Sequence, residues 1–318
     1  MTKRVPRRAR PAVGHWDGDE MELVGRYSYR PEFQPLLFEY IGAVPGQRVL
    51  DVGSGSGYLA RLIASAHPSS HVTCVDADPA MLVVARRIVA GSALFDRMSV
   101  VDGDAYDLPF ADGSFDLVTS HLLMCILNDP GRALREQMRV ARAGGTVSCV
   151  VCFCRTDRLP HYHGRTGLPG DHRIDALRHG LARAWRRTVR PRLLDLDHTV
   201  VNQDIVWHFR QAGLLDVRVN GHLAVVAPGD DRIAPDEGVD FSIAMHEAEL
   251  ARLRDQRRRY GAELAAGGFS TAEFDELLEY ETARLGRLRE HPNAVKETME
   301  VYTEPMLIVR GTVPGTAA

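Results

Sequence analysis

The sequence predicts an α/β protein built on a doubly wound, mostly parallel seven-stranded sheet, with helical insertions after strand five and before the last strand. From Arg48 to Phe153, short apolar runs alternate with segments of helical spacing. That alternation builds parallel strands joined by right-handed crossover helices. The run Thr146–Phe153 is apolar on both faces, as an interior parallel strand covered on each side has to be. After Cys154 the rhythm stops, and it resumes near Gln203 and again at Met306, so two departures interrupt one sheet.

Residues 1–20 are basic, then contain Gly and Asp, with no clear period, and Tyr29–Tyr40 reads as a short helix interrupted by Pro35. The turn Val44-Pro-Gly46 follows. Arg48–Val52 is the first strand and ends in glycines, and Tyr58–Ala66 carries helical spacing. His71–Val75 is the second strand. Asp78 is the N-cap of a helix over Pro79–Val89, with proline at its first position. Strands at Met98–Val101 and Phe115–Ser120 follow, then a helix over Gly131–Val140 with Gly144-Gly145 as its stop signal. Beyond the first departure come a helix near Gln203–Gln211 and a strand near Asp216–Asn220 that continues toward Val226. The second departure is strongly helical over Phe241–Leu264. Ser270 and Glu273 then form a capping box for a helix to about Leu288, and Met306–Val309 is the final strand. The organisation expected is an N-terminal cover or lid at 1–46 and a core at 47–227 and 304–318. A substrate insertion at 155–202 belongs to that core, and 228–303 forms a helical cap or dimer interface.

Composition narrows the function classes. With 318 residues, 45% hydrophobic and 25% charged, the chain is neither collagen-like nor low in complexity nor wholly disordered. No apolar run approaches the roughly 18–20 residues that span a bilayer. Lysine occurs only at Lys3 and Lys296, so nearly all of the 39 basic residues are arginine, a pattern that high-GC codon usage produces. The formal net charge of −3 and the absence of a basic stripe argue against nucleic acid. The basic run Lys3–Arg10 lacks the apolar stretch of a secretory signal. Five cysteines, an odd number in a long chain and three of them in one apolar run where Cys152 and Cys154 are spaced C-x-C, fit a reduced, cytoplasmic protein.

The chemistry concentrates in Asp51-Val-Gly53-Ser-Gly55-Ser-Gly57, which follows the first strand and opens a helix. Glycines there permit positive φ and close approach of a ligand. The dinucleotide fingerprint G-x-G-x-x-G requires glycine at position 58, where this chain has Tyr58, and no G-K-[ST] follows to make a phosphate loop. Asp76 ends the second strand, where an acid can accept hydrogen bonds from both hydroxyls of a ribose. Asp104, in Gly103-Asp-Ala105, ends the third and can hold an exocyclic amine.

These motifs, in this order and spacing, resemble the class I S-adenosylmethionine-dependent methyltransferases of the small-molecule type. The matching stretches are VLDVGSGSGYLARLIA at 49–64, VTCVDADPAML at 72–82, VVDGDAYDLPFADGSFDLVTS at 100–120 and ALREQMRVARAGGTVSC at 133–149. The resemblance implies a Rossmann-like fold and S-adenosyl-L-methionine as cofactor. It places Gly53 and Gly55, with Ser54 and Gly57 of the same loop, against the methionine moiety. Asp76 falls to the ribose, Ala77 to the adenine, and Asp104 with Ala105 to its amino group. Asp51 orients the loop and the ligand's amino group. Ser120 and His121, after strand four, are candidates for the sulfonium pocket, with a structural histidine as the equal alternative. Where related enzymes carry a His-His pair in a pattern like LHHLxDP, this chain has Met124-Cys-Ile-Leu-Asn-Asp-Pro130.

The acceptor pocket of this family lies in variable segments, so the resemblance does not assign it. Trp16–Tyr40, with Tyr27, Tyr29, Arg30 and Phe33, is a candidate lid or a helix packed on the sheet. Seven of the 13 histidines fall between 161 and 222. His161, His163 and His198 are candidate general bases, with Tyr29 as a further candidate catalytic group. Ordinary loop histidine is the competing reading, and no metal-ligand spacing supports a metal site. Arg173, Arg178, Arg183, Arg186, Arg187, Arg190 and Arg192 suit an anionic acceptor or a solvated helix face. The expectation is a cytoplasmic bacterial methyltransferase acting on a small molecule as a tailoring step in natural-product biosynthesis. It has no nucleic-acid or membrane partner, and a homodimer is its candidate assembly. A peptide- or protein-methylating enzyme and a non-catalytic cofactor-binding assembly subunit remain alternatives.

Overall fold

The first strand, β1 (Arg48–Val52), lies inside the sheet rather than at its edge. It pairs in parallel with β2 (His71–Asp76) on one side and with β4 (Phe115–His121) on the other, and Val49, Leu50 and Val52 are buried. The computed structural model describes residues 18–152, 171–189, 198–231, 233–297 and 302–315. Outward from β2 lies β3 (Met98–Asp102), also parallel. Outward from β4 lies β5 (Ala141–Cys152), parallel, and then β7 (Tyr302–Thr312), antiparallel. The edge is β6 (Leu215–Val226). The order of this seven-stranded sheet is β3-β2-β1-β4-β5-β7-β6. The winding direction reverses between β1 and β4, and ligands of open α/β sheets bind at the carboxyl ends of the strands at such a reversal.

The crossover helices form where amphipathic spacing meets a capping residue. In α3 (Tyr58–Ala66), Leu59, Ala60, Ile63 and Ala64 are buried along one face. In α4 (Pro79–Ala90), the Asp78 carboxylate accepts the Ala80 N–H at 2.8 Å and Pro79 fills the first turn, as the sequence predicts. In α5 (Pro130–Val140), Asp129 caps the first turn through the Arg132 N–H, and Ala133, Leu134, Gln137 and Val140 face the sheet. The predicted glycine stop is corrected here. The helix ends at Val140 and the strand starts at once, so Gly144 and Gly145 lie within β5. Gly144 has φ +70° and donates to Val313 O at 3.0 Å.

The N-terminal region also differs from expectation. A helix, α1 (Gly18–Ser28), starts at the end of residues 1–20, which show no period in sequence, and occupies the first part of the candidate lid. Pro35 does not interrupt a helix; it sits in the first turn of α2 (Gln34–Ile41), where its missing N–H has no intrahelical partner to lose.

The chain divides into two compact units. The sheet unit, residues 18–152, 198–222 and 305–315 of those described, includes a further helix, α7 (His198–Gln211), whose Ile205 and Phe209 join the sheet's core. The helical unit draws on both insertions and contains α6 (Asp171–Thr188), α8 (Pro235–Ala266), α9 (Thr271–Glu290) and α10 (Ala294–Glu297). The sequence reading keeps 155–202 with the core and 228–303 apart; in the structure, α6 clusters with α8 and α9. Leu177, Leu253, Leu264, Phe269, Phe274 and Leu277 form its apolar centre. The Ser270–Glu273 capping box opens α9 as predicted.

Candidate active site

The loop between β1 and α3 is shaped by its glycines. Gly53, Gly55 and Gly57 have φ of +67°, +56° and +81°, a region that side-chain-bearing residues avoid. Gly53 and Ser54 donate to Val75 O at 2.8 and 3.1 Å, which ties the loop to β2. Asp76 completes the tie: its Oδ2 accepts the Gly55 N–H at 2.8 Å and its Oδ1 accepts the Asp78 N–H at 2.9 Å. Each oxygen retains acceptor capacity for a ligand hydroxyl. Gly57 points elsewhere. It caps α3, and a Cβ there would meet the Cys74 sulfur at 3.3 Å, so its role is helix entry.

Asp51 stands behind this loop at 1% exposure, and its Oδ1 has no hydrogen-bond partner among the described residues. Burial, with the Asp76 carboxylate second, pushes its carboxyl up to about 8 against the pull of the Ala60 backbone. Burial likewise raises Asp76, against the hydrogen bonds from Asp78 and Gly55. Two carboxyls, one buried and one half-buried, with no counter-ion among the described residues form an environment that a ligand's ammonium group and hydroxyls would stabilise. These residues therefore fit an amino-acid-bearing nucleoside. At the end of β3, Asp104 Oδ1 accepts the Tyr106 N–H at 2.9 Å, and Ala77 and Ala105 are half-buried beside their acids.

β4 contributes the other wall. Ser120 is fully buried, opposite Val52 in the register, and its Oγ has no partner among the described residues. His121 ends the strand, and its Nε2 is buried with no hydrogen-bond partner among the described residues. Burial lowers its pKa to about 4, so the ring is neutral at pH 7. Leu122 follows with φ +53°, and its N–H donates to Val150 O at 2.8 Å.

The N-terminal segment covers these groups. A Cβ on Gly55 would overlap the Met21 methyl, and one on Gly25 would lie 2.5 Å from the Tyr58 ring. Glu22 pairs with Arg61 at 2.5 Å. Tyr29, 1% exposed, sets its ring against His121 with centroids 5.1 Å apart at 63°, and stacks on Tyr58 at 6.4 Å. Tyr58, the residue that breaks the dinucleotide fingerprint, is thus part of the floor under Tyr29.

Of the candidate bases, only Tyr29 has a described side chain. His161 and His163 lie outside the described residues, and His198 is the first residue of α7 with its side chain outside that description. Within the arginine-rich segment, Arg173 pairs with Glu276 at 2.9 Å and Arg178 with Glu281, so both are held by carboxylates of α9. Sequence reasoning missed Met21 and the stacking of Phe33 on His222. Neither carries a local signal, because each acts on a partner distant in the chain.

Comparison with known proteins agrees with this geometry. Residues 50–149 match the family model described as a methyltransferase domain. Residues 50–149 are thus similar to the methyltransferase domains that this model describes. Relatives of this domain include a demethylmenaquinone methyltransferase of Clavibacter sepedonicus, 37% identical over 120 residues, which are 38% of this chain and 46% of that protein. Another is the demethylmenaquinone methyltransferase of Renibacterium salmoninarum, 41% identical over 113 residues, 35% and 43% of the respective chains. The ubiquinone/menaquinone biosynthesis C-methyltransferase of Roseobacter denitrificans is 34% identical over 113 residues, 36% and 45% of the two. The alignments thus span a little under half the length of these relatives. The methyltransferase domain holds the cofactor motifs, and the segments that follow β5 lie outside it. No helix among the described residues is long and apolar enough to cross a membrane.

Proposed function

We propose that this protein transfers a methyl group from S-adenosylmethionine to a small-molecule acceptor, in a tailoring step distinct from the quinone methylation named for its relatives. The observation that carries the reading is Asp51, a buried carboxyl with an orphaned oxygen behind a glycine loop that Asp76 ties down. The distinct acceptor is supported by the extent of the likeness, which covers the cofactor half alone.

When bound, the cofactor supplies an electrophilic methyl group on a cationic sulfur and a neutral thioether leaving group. Asp51 would hold its ammonium group, Asp76 its ribose hydroxyls, and Asp104 with Ala105 its adenine. Its methyl group would pass to the acceptor's nucleophilic atom, and the sulfur would keep the bonding electron pair. The protein aligns the two and excludes water. His121, whose Nε2 is unpaired among the described residues and unprotonated in the neutral range, is placed to take the acceptor's proton. Tyr29 fixes the imidazole ring and closes the site from the α1 side.

Calorimetry with S-adenosylmethionine tests the cofactor half, and formation of S-adenosylhomocysteine over a panel of phenols, amines and peptides tests the transfer. Binding together with turnover on a small molecule is expected. No cofactor binding overturns the reading, turnover confined to peptides shifts the acceptor class, and binding without turnover on any acceptor favours the non-catalytic subunit.

A further inference from the structure

Across the middle of the sheet, one level is polar from strand to strand. The register sets Cys74 of β2 beside Asp51 of β1, Asp51 beside Thr119 of β4, and Thr119 beside Ser148 of β5. Residues paired in this way point to the same face, on strands about 4.8 Å apart. All four are buried, at 1% exposure or less. The row ends at Arg310 of β7, opposite Ser148, whose guanidinium donates to Glu39 O of α2 at 2.6 Å. One level lower on the same face, Val49 and Leu117 are apolar.

Interior parallel strands are ordinarily apolar on both faces, and a buried hydroxyl is costly unless it is hydrogen-bonded. Ser148 Oγ donates to Thr119 Oγ1 at 3.0 Å. Two hydroxyls carry two protons, and the bond between them uses one. The second, on Thr119, faces the neighbouring position in the register, which is Asp51. Asp51 Oδ1 is buried with no hydrogen-bond partner among the described residues. The titratable and charged groups at this end of β1 are Cys74 and Asp76 of β2, His121 of β4, Tyr58 and Arg61 of α3, and Glu22 of α1. Arg61 is engaged by Glu22 and by Ser56 O, and Asp76 by the Gly55 and Asp78 N–H groups. The Cys74 thiol, pushed up by burial and by Asp51, stays protonated, and His121 is neutral.

We propose that Thr119 and Ser148 are positioning residues that orient the Asp51 carboxylate for a ligand's ammonium group. This rests on the methyl-transfer reading above and adds how the protein prepares its acid. Burial keeps Asp51 protonated over much of the neutral range. When an ammonium group arrives, the carboxyl releases its proton to solvent and Thr119 donates to Oδ1 of the resulting carboxylate. Each carboxylate oxygen accepts more than one hydrogen bond, so Oδ1 keeps room for the ammonium. Ser148, donating to Thr119, fixes the direction of that hydroxyl and strengthens its bond.

The test follows the Asp51 carboxyl of the full chain by infrared spectroscopy, with its band assigned by its loss in Asp51→Asn. A hydrogen bond to a charged group is worth about tenfold in an equilibrium. Thr119→Val should therefore raise the pH midpoint of Asp51 ionisation by about one pH unit. Ser148→Ala should raise it by less, and Thr119→Ser, which keeps the hydroxyl, should hold it near the wild-type value. Calorimetry at pH 7 should show S-adenosylhomocysteine binding weakened about tenfold in Thr119→Val and restored in Thr119→Ser. A midpoint unchanged or lowered in Thr119→Val overturns the proposal while the cofactor site stands. Should that variant not fold, the same result in Ser148→Ala overturns it. If the nucleoside does not bind the wild-type protein, the methyl-transfer reading fails, and the carboxyl titrations still decide whether Thr119 serves Asp51.

Discussion

Two buried carboxyls, one in each unit, sit in opposite electrostatic environments. Asp51 in the sheet unit is pushed up to about 8 by burial and by Asp76. Glu281 in the helical unit is fully buried as well, yet it is held down near 2, because His246, Arg178 and Arg284 outweigh the effect of burial. Glu281 touches Arg178 through Oε1 and the His246 Nδ1 at 3.3 Å through Oε2. The helical unit thus sets opposite charges beside its buried carboxyl, while Asp51 has none beside it among the described residues. A charge-compensated cluster specifies packing, and an uncompensated one is a candidate binding site.

The largest expected effect breaks the satisfied side. Glu281→Ala leaves buried guanidinium groups without their carboxylate and should cost about 3–5 kcal/mol of stability, read as a lowered denaturation midpoint of the helical unit. Cofactor affinity measured on the folded variant should barely change. If affinity falls instead, the two carboxyls do not divide into structural and functional roles.

Next comes Asp76→Ala, which should weaken S-adenosylmethionine binding by about 1–3 kcal/mol, the scale for losing a buried hydrogen-bonding partner. Titration calorimetry reads it directly, and unchanged affinity would remove Asp76 from the site.

Asp51→Asn sharpens the contrast through pH. A carboxyl raised in the folded state binds more protons than in the unfolded chain between its ordinary value and about 8. Stability of the cofactor-free protein should therefore fall as pH rises through that window. From pH 6.5 to 8 the loss attributable to this group is at most about 2 kcal/mol. Asp51→Asn should flatten that fall while weakening cofactor binding, so one substitution moves stability and affinity in opposite directions. A pH–stability curve unaffected by the substitution would show that Asp51 is already neutralised by protein.

His121 supplies the last test, in the acid range. Its pKa is depressed, so its contribution is full above the ordinary histidine value near 6.5 and is lost as pH falls toward about 4. His121→Gln should reduce the loss of stability between pH 6.5 and 4. The acid limb of wild-type turnover should lie well below 6.5; a limb at the ordinary histidine value would assign the proton to another group.

Much of the sheet unit is legible from local pattern. Arg48–Val52, His71–Asp76 and Phe115–His121 announce themselves as apolar runs, the first ending at a glycine and the second in an acid, and the Asp78 and Asp129 caps lie just before prolines. Gly144-Gly145 misleads because a glycine pair signals a helix stop and a strand irregularity equally well. Helix α1 escapes because its face is completed by Gly25 seated on Tyr58 and Met21 on Gly55. Those contacts are invisible to periodicity. The joining of α6 with α8 and α9 escapes for a similar reason: Arg173–Glu276 and Arg178–Glu281 link segments that the sheet separates in sequence.

By itself, then, the amino-acid order determined the alternating α/β fold and the cofactor motifs. Both depend on short-range chemistry: two-residue and 3.6-residue periods, glycine's access to positive φ, and acids at strand ends. Only the tertiary structure decided that Asp51 lacks a counter-ion, that Tyr29 and Phe33 roof His121 and His222, and that two separate insertions form one helical unit. Each of those depends on which distant side chains burial brings together, and burial is a property of the whole fold rather than of any window of sequence.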